Sequence, residues 1–129
     1  MAIELLIARG VGLAWLICGL SHLLNPAEWT GLLAPLRART GGSFILAGLS
    51  LPLGLIIVLG HNVWVWGLPL IVTVVGWLMS LKGAIYLCFP HAHKRVMPPE
   101  ARMVKAIRIA GGAMTALGVL TIYDAYFVR

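Results

Sequence analysis

The chain has 129 residues, of which 60% are hydrophobic and only 11% charged, with a formal net charge of +6 and a mean hydropathy of +0.96. Soluble domains carry about 25% charged residues, and one small domain has too little interior to hide this much apolar surface, so the composition excludes a water-soluble globule and makes lipid the solvent. Nor does the positive charge point to nucleic acid: the basic residues flank apolar segments and the aromatics sit inside them, as expected of charges facing anionic headgroups.

Four stretches approach the roughly 20 apolar residues that a membrane crossing needs. The first runs over residues 5–24, "LLIARGVGLAWLICGLSHLL", and Asn25-Pro26 stops it. It has no basic segment ahead of it and no clean cleavage site behind it, so it reads as a retained helix and not as a leader. The linker that follows, "PAEWTGLLAPLRART", sets Trp29, Leu32, Leu33 and Leu36 against a basic end at Arg37 and Arg39, the pattern of a short interfacial helix.

The second span covers residues 44–60, with Pro52 a candidate kink. Only "HNVWVW" separates it from the third, residues 67–89, so these two form an antiparallel hairpin. Pro69 suits the first turn of the third span and Pro90 ends it. The linker from Pro90 to Lys105 is the most charged part of the chain. Pro99 and Glu100 there suit a helix start ahead of the fourth span, residues 106–128. The expected fold is all-α: one domain, an antiparallel bundle of four transmembrane helices.

Sidedness follows from lysine and arginine. The first and third linkers share one side and carry Arg37, Arg39, Lys94, Arg95, Arg102, Lys105 and Arg108; the second linker carries none. The positive-inside rule then places these linkers in the cytoplasm and both termini outside, in a bacterial inner membrane. Trp64, Trp66, Tyr123 and Tyr126 are expected to anchor the outer interface, and Trp29 and Tyr86 the inner one. Small residues on the second span (Ser43, Ala47, Ser50), the third (Gly76, Ser80, Ala84) and the fourth (Gly111, Gly112, Ala116, Gly118) are expected to form packing surfaces, within the bundle or between copies.

Charges inside spans need a reason to be there. Lys82 precedes Phe89 by seven residues, about 10 Å along a helix. Its stem can carry the ammonium back toward the headgroups, or it takes an internal partner or forms a proton or anion site. Arg9 and Asp124 lie at one depth, on the first and last spans, and are expected to pair, with Glu4 a competitor. His22 shares a stripe with Trp15 and Cys18, and Cys88, His91, His93 and Met97 emerge on the same side. That donor set suits copper or zinc, so His22, Cys88, His91 and His93 form an alternative metal or redox site beside the simpler reading of solvated side chains. His61 is expected on the opposite side, which disfavours a paired-histidine haem site. Cys18 and Cys88 have no disulfide or zinc-knuckle spacing.

The four acidic residues form no carboxylate pair on a helix face, and no nucleophile triad or phosphate loop is evident, so neither an enzyme nor a cofactor is expected. The candidate intramembrane polar site is Arg9, Asp124, Lys82 and His22. The expected role is an accessory or structural subunit, in a homo-oligomer or a larger membrane complex. The alternative is a small oligomeric transporter or channel that uses those polar residues.

The opening "IARGVGLAWLICGLSHLLNP" resembles that of DoxX-like membrane proteins, small bacterial four-helix proteins that begin with an arginine followed by a glycine-bearing apolar helix. Arg9, Gly12 and Gly19 carry the resemblance, which covers about the first 25 residues and the four-span plan. Such proteins usually have a lysine near the position held here by His22. The resemblance implies a small integral membrane protein, in some members linked to respiratory or redox membrane complexes.

Overall fold

The computed structural model describes residues 2–129, which contain helices and no strand. Helix α1 spans Ala2–Leu24, α2 Pro26–Ala38, α3 Gly42–Gly60, α4 Leu68–Cys88, α5 Ala92–Val96 and α6 Glu100–Tyr123. A π-helical turn, Asp124–Val128, continues α6. Helices α1, α3, α4 and the joined Glu100–Val128 are long and apolar enough to cross a membrane, and they match the four spans expected from hydropathy.

Proline and glycine set the boundaries. Pro26 opens α2 directly after α1, and Pro69 lies in the first turn of α4. Gly41, in the left-handed region at φ 82°, makes the turn from α2 into α3 that a side chain would strain. Pro99 precedes the first residue of α6, whose first turn holds Glu100. Helix α3 continues through Pro52 without a break.

In the span windows only 22–39% of residues are buried. Leu24, Leu59 and Phe127 are more than three-quarters exposed. An outer surface this apolar is stable only against hydrocarbon, so the chain is a multi-pass membrane protein.

The bundle is built from two tight antiparallel pairs, α1 with α6 and α3 with α4. Glycines spaced by seven hold each pair together: Gly12 and Gly19 on α1, Gly111 and Gly118 on α6, Gly76 and Gly83 on α4. A Cβ on Gly19 would lie 2.5 Å from the Thr115 nitrogen and 2.9 Å from the Gly111 carbonyl oxygen. One on Gly118 would lie 2.5 Å from the Leu16 nitrogen. Such backbone-to-backbone approach replaces the hydrophobic effect, which is absent between helices in lipid, with dense van der Waals contact.

In the other pair, Gly54 faces Ser80 and Gly76, Gly83 faces Leu51, and Ser50 Oγ donates across to the Met79 carbonyl at 3.0 Å. The Ser80 and Thr115 hydroxyls instead donate back to Gly76 and Gly111 of their own helices, at 2.9 and 2.7 Å. That bond lets a polar residue sit at a lipid-depth interface without a partner from the facing helix.

The packing surfaces are therefore partly those expected and partly others. Ser43, Ala47 and Ser50 are all buried. Gly111 and Gly118 are buried as well, but Ala84, Gly112 and Ala116 face outward. Gly12, Gly19, Gly54 and Gly83 make close contacts that the four-residue stripes did not include.

The α3–α4 hairpin is locked at its tip by Thr73. Its Oγ1 accepts the Val63 N–H at 3.0 Å and has the Val63, His61 and Pro69 carbonyls within 2.8–3.1 Å to donate to. At the other end of the bundle α2 packs against α6 and α3. It is thus a packed element and not only an interfacial one.

Candidate functional site

The ionisable residues expected to matter within the spans lie toward the two ends of the bundle. At the end holding both termini, Arg9 Nε donates to the Ala125 carbonyl at 3.1 Å, and its guanidinium lies 4.6 Å from the Tyr126 ring centroid. The expected Arg9–Asp124 pair does not form. Asp124 Oδ2 lies 2.8 Å from Arg129 Nε, a charge contact in which the N–H is not aligned for a hydrogen bond.

The π-helical turn explains the exchange. In an α-helix the Arg129 N–H would take the Ala125 carbonyl; here it donates to Asp124, at 2.9 Å. The Ala125 carbonyl is left free for Arg9, and a cation at the negative end of a helix is favourable. First and last spans are still clamped, through backbone and not through a carboxylate.

His61 is also at this end, fully buried in the linker after α3. Its Nδ1 lies 3.3 Å from Thr73 Oγ1, and its Nε2 has no partner among the described residues. Burial holds the imidazole below its ordinary range. Its own backbone opposes this; the Arg129 charge adds to it, and Glu4 opposes it more weakly.

At the basic end, His22 Nδ1 lies 2.6 Å from the Cys18 carbonyl. That contact is a hydrogen bond when the proton is on Nδ1, which leaves Nε2 as the acceptor nitrogen. The ring stacks on Trp29 with centroids 4.3 Å apart, and Trp29 Nε1 donates to Ser21 Oγ at 2.9 Å. Together these contacts fold α2 back on the end of α1.

Lys82 points toward this end, its Nζ 5.5 Å from the Tyr86 ring centroid one turn on. Tyr86 is not the interfacial anchor expected from its position: it is 2% exposed, and its hydroxyl has no hydrogen-bond partner among the described residues. It stands three residues after Gly83, on the face that the glycines turn inward, and this spacing was the sequence signal for its burial.

The two basic linkers dock on each other. Arg37 donates from Nε to the Met97 carbonyl and from Nη2 to the Lys94 carbonyl, both at 3.2 Å. His93 is 1% exposed, with Nδ1 2.9 Å from the Pro90 carbonyl and Nε2 3.1 Å from the Arg37 carbonyl. Both ring nitrogens face main-chain carbonyls, of which a neutral imidazole can donate to one, and the buried ring is not open to solvent.

Cys88 and His91 line an exposed hollow of about 470 Å³ beside Arg95, whereas His22 lines a different cavity. The four residues of the alternative metal site are therefore not brought together, and among the described residues no three His, Cys, Asp or Glu side chains are placed to hold one ion. The intramembrane set is likewise divided, with Arg9 and Asp124 at one end and His22 and Lys82 at the other. No family model, curated protein or solved structure matches the chain.

Proposed function

We propose that this chain is a non-catalytic integral protein of a bacterial inner membrane, an accessory or structural subunit that packs on a partner helix or on a second copy of itself. One observation carries the reading: α6 has two small-residue faces, and the bundle uses only one. Gly111 and Gly118 are consumed by α1, while Gly112 and Ala116, four residues apart, face outward, and nothing lies within 4 Å of where a Gly112 Cβ would be. A glycine facing lipid leaves a dent that acyl chains fill poorly, and the same dent lets another helix approach closely.

The basic linkers lie on the cytoplasmic side in this reading, with both termini outside. Reporter tags on the two ends test that sidedness. Association is tested at native expression by crosslinking and by mass in detergent. The wild type assembles or retains a partner, and Gly112→Leu or Ala116→Leu abolishes this while the chain still folds. A wild type that is monomeric and partner-free, or variants that assemble as it does, defeat the reading.

A further inference from the structure

At the basic end the two helix pairs do not close on one another. They leave a cleft of about 320 Å³ between α4 and α6, with His22 of α1 also in its lining. Tyr86, Met103 and Ile107 in its lining are buried, whereas Lys82 and Ala110 are exposed, so the former form its floor and the latter its rim. The lining residues are apolar apart from Lys82, His22 and Tyr86.

Lys82 has no carboxylate partner among the described residues, where the ion pair present joins Arg129 to Asp124. Glu28 and Glu100, the acidic residues nearest this end in sequence, are exposed and do not line the cleft. A membrane-embedded ammonium without a counterion thus stands at the mouth of an apolar cavity lined by Tyr86, whose buried hydroxyl has no partner among the described residues. Both groups can donate hydrogen bonds, and the surrounding linkers, with Arg37, Lys94, Arg95, Arg102 and Lys105, add positive charge. The complementary ligand is anionic at one end and apolar at the other. The volume is at the lower end of the range for ligand sites, suited to a headgroup and the first part of a chain.

We propose that this cleft binds one anionic phospholipid from the leaflet at the basic end. Its phosphate meets the Lys82 ammonium, the Tyr86 hydroxyl supplies a second donor after a small ring rotation, and an acyl chain begins along Met103 and Ile107. The proposal is independent of any partner helix at Gly112, because the cleft and that face are read out by different variants and different measurements.

The test uses the full chain in nanodiscs of equal phosphatidylglycerol and phosphatidylethanolamine, followed by gentle detergent extraction and native mass spectrometry. The wild type retains one phosphatidylglycerol in preference to phosphatidylethanolamine by about fivefold or more, the scale of one lysine near a headgroup. Lys82→Met loses the preference, and Arg129→Gln, which removes a positive charge at the opposite end of the bundle, keeps it. Ala110→Trp, which fills the cleft from its rim without touching the charge, also loses it and covers the case in which Lys82→Met does not fold. Added phosphatidylglycerol raises the unfolding temperature of the delipidated wild type; inorganic phosphate alone does not. Equal retention of the two lipids by the wild type, an unchanged preference in both cleft variants, or an equal shift from phosphate alone overturns the proposal.

Discussion

Arg9 and Ala125 are joined by a hydrogen bond from the guanidinium Nε to a main-chain carbonyl, 3.1 Å across the interface between the first and last spans. The carboxylate of Asp124, one residue away, takes no part in it and lies instead against Arg129. Removal of the two charges is therefore expected to have unequal effects. Arg9→Met loses a charge-assisted bond and a cation–π contact and destabilises by about 1.5–3 kcal/mol. Asp124→Asn loses a partly exposed ion pair and costs roughly 0–1 kcal/mol. Unfolding in detergent, followed by circular dichroism with a graded denaturing surfactant, separates the two, and equal losses would reinstate an Arg9–Asp124 pair.

The glycines of α1 predict a contrast within one helix. Gly19→Ala drives a methyl group to 2.5 Å from the Thr115 backbone nitrogen, which must separate α1 from α6 and costs about 1–3 kcal/mol. Nothing lies within 4 Å of a Cβ at Gly10, so Gly10→Ala is neutral or slightly stabilising. The same unfolding assay reads both.

His61 makes stability depend on pH. Its folded-state affinity for a proton is held below the ordinary value of 6.5 by burial. Between the folded and unfolded values the unfolded chain binds more protons, so stability rises with pH there. The contribution is fully present above about pH 6.5 and is lost progressively as pH falls below it. Thermal unfolding from pH 7.5 to 5 should show the decline, and His61→Gln should flatten it; a wild-type profile without slope below pH 6.5 would contradict the burial of an unpartnered ring nitrogen.

The docking of the basic linkers rests on Arg37 and His93. Arg37→Gln removes two bonds to the Lys94 and Met97 carbonyls and is expected to release the segment around α5, with little effect on the spans, which are held by their glycines. Amide exchange across residues 91–98 should speed up by about tenfold, corresponding to ~1.4 kcal/mol of local stability, while exchange in α1 and α4 stays as it was.

Hydropathy, proline and charge placement were enough to read the four spans, the short α2 and the early start of α6. These depend on local composition and on the length needed to cross hydrocarbon. Three residue types made the rest illegible. Small residues form stripes in the sequence, but whether Gly111 or Gly112 faces the neighbouring helix depends on a rotation about the helix axis that no local preference sets. Tyr86 has the sequence context of an anchor because interfacial and buried tyrosines have the same neighbours along the chain; only the inward turn of Gly83 distinguishes them. Histidines 22, 91 and 93 look alike as metal ligands in sequence, yet His93 is buried with its ring between the carbonyls of two linkers, 56 residues apart at the Arg37 contact.

The amino-acid sequence by itself determined the solvent and the number of crossings, which follow from transfer free energies of individual residues, and with four crossings the two basic linkers must share one end of the bundle. The tertiary structure alone decided the partners: Arg9 with Ala125, Gly19 with Gly111 and Thr115, and Lys82 with a cleft and no carboxylate. Those depend on helix rotation, on a one-residue change of hydrogen-bond register and on how two helix pairs meet, and in lipid such choices are made by close packing and by polar satisfaction, not by hydrophobicity.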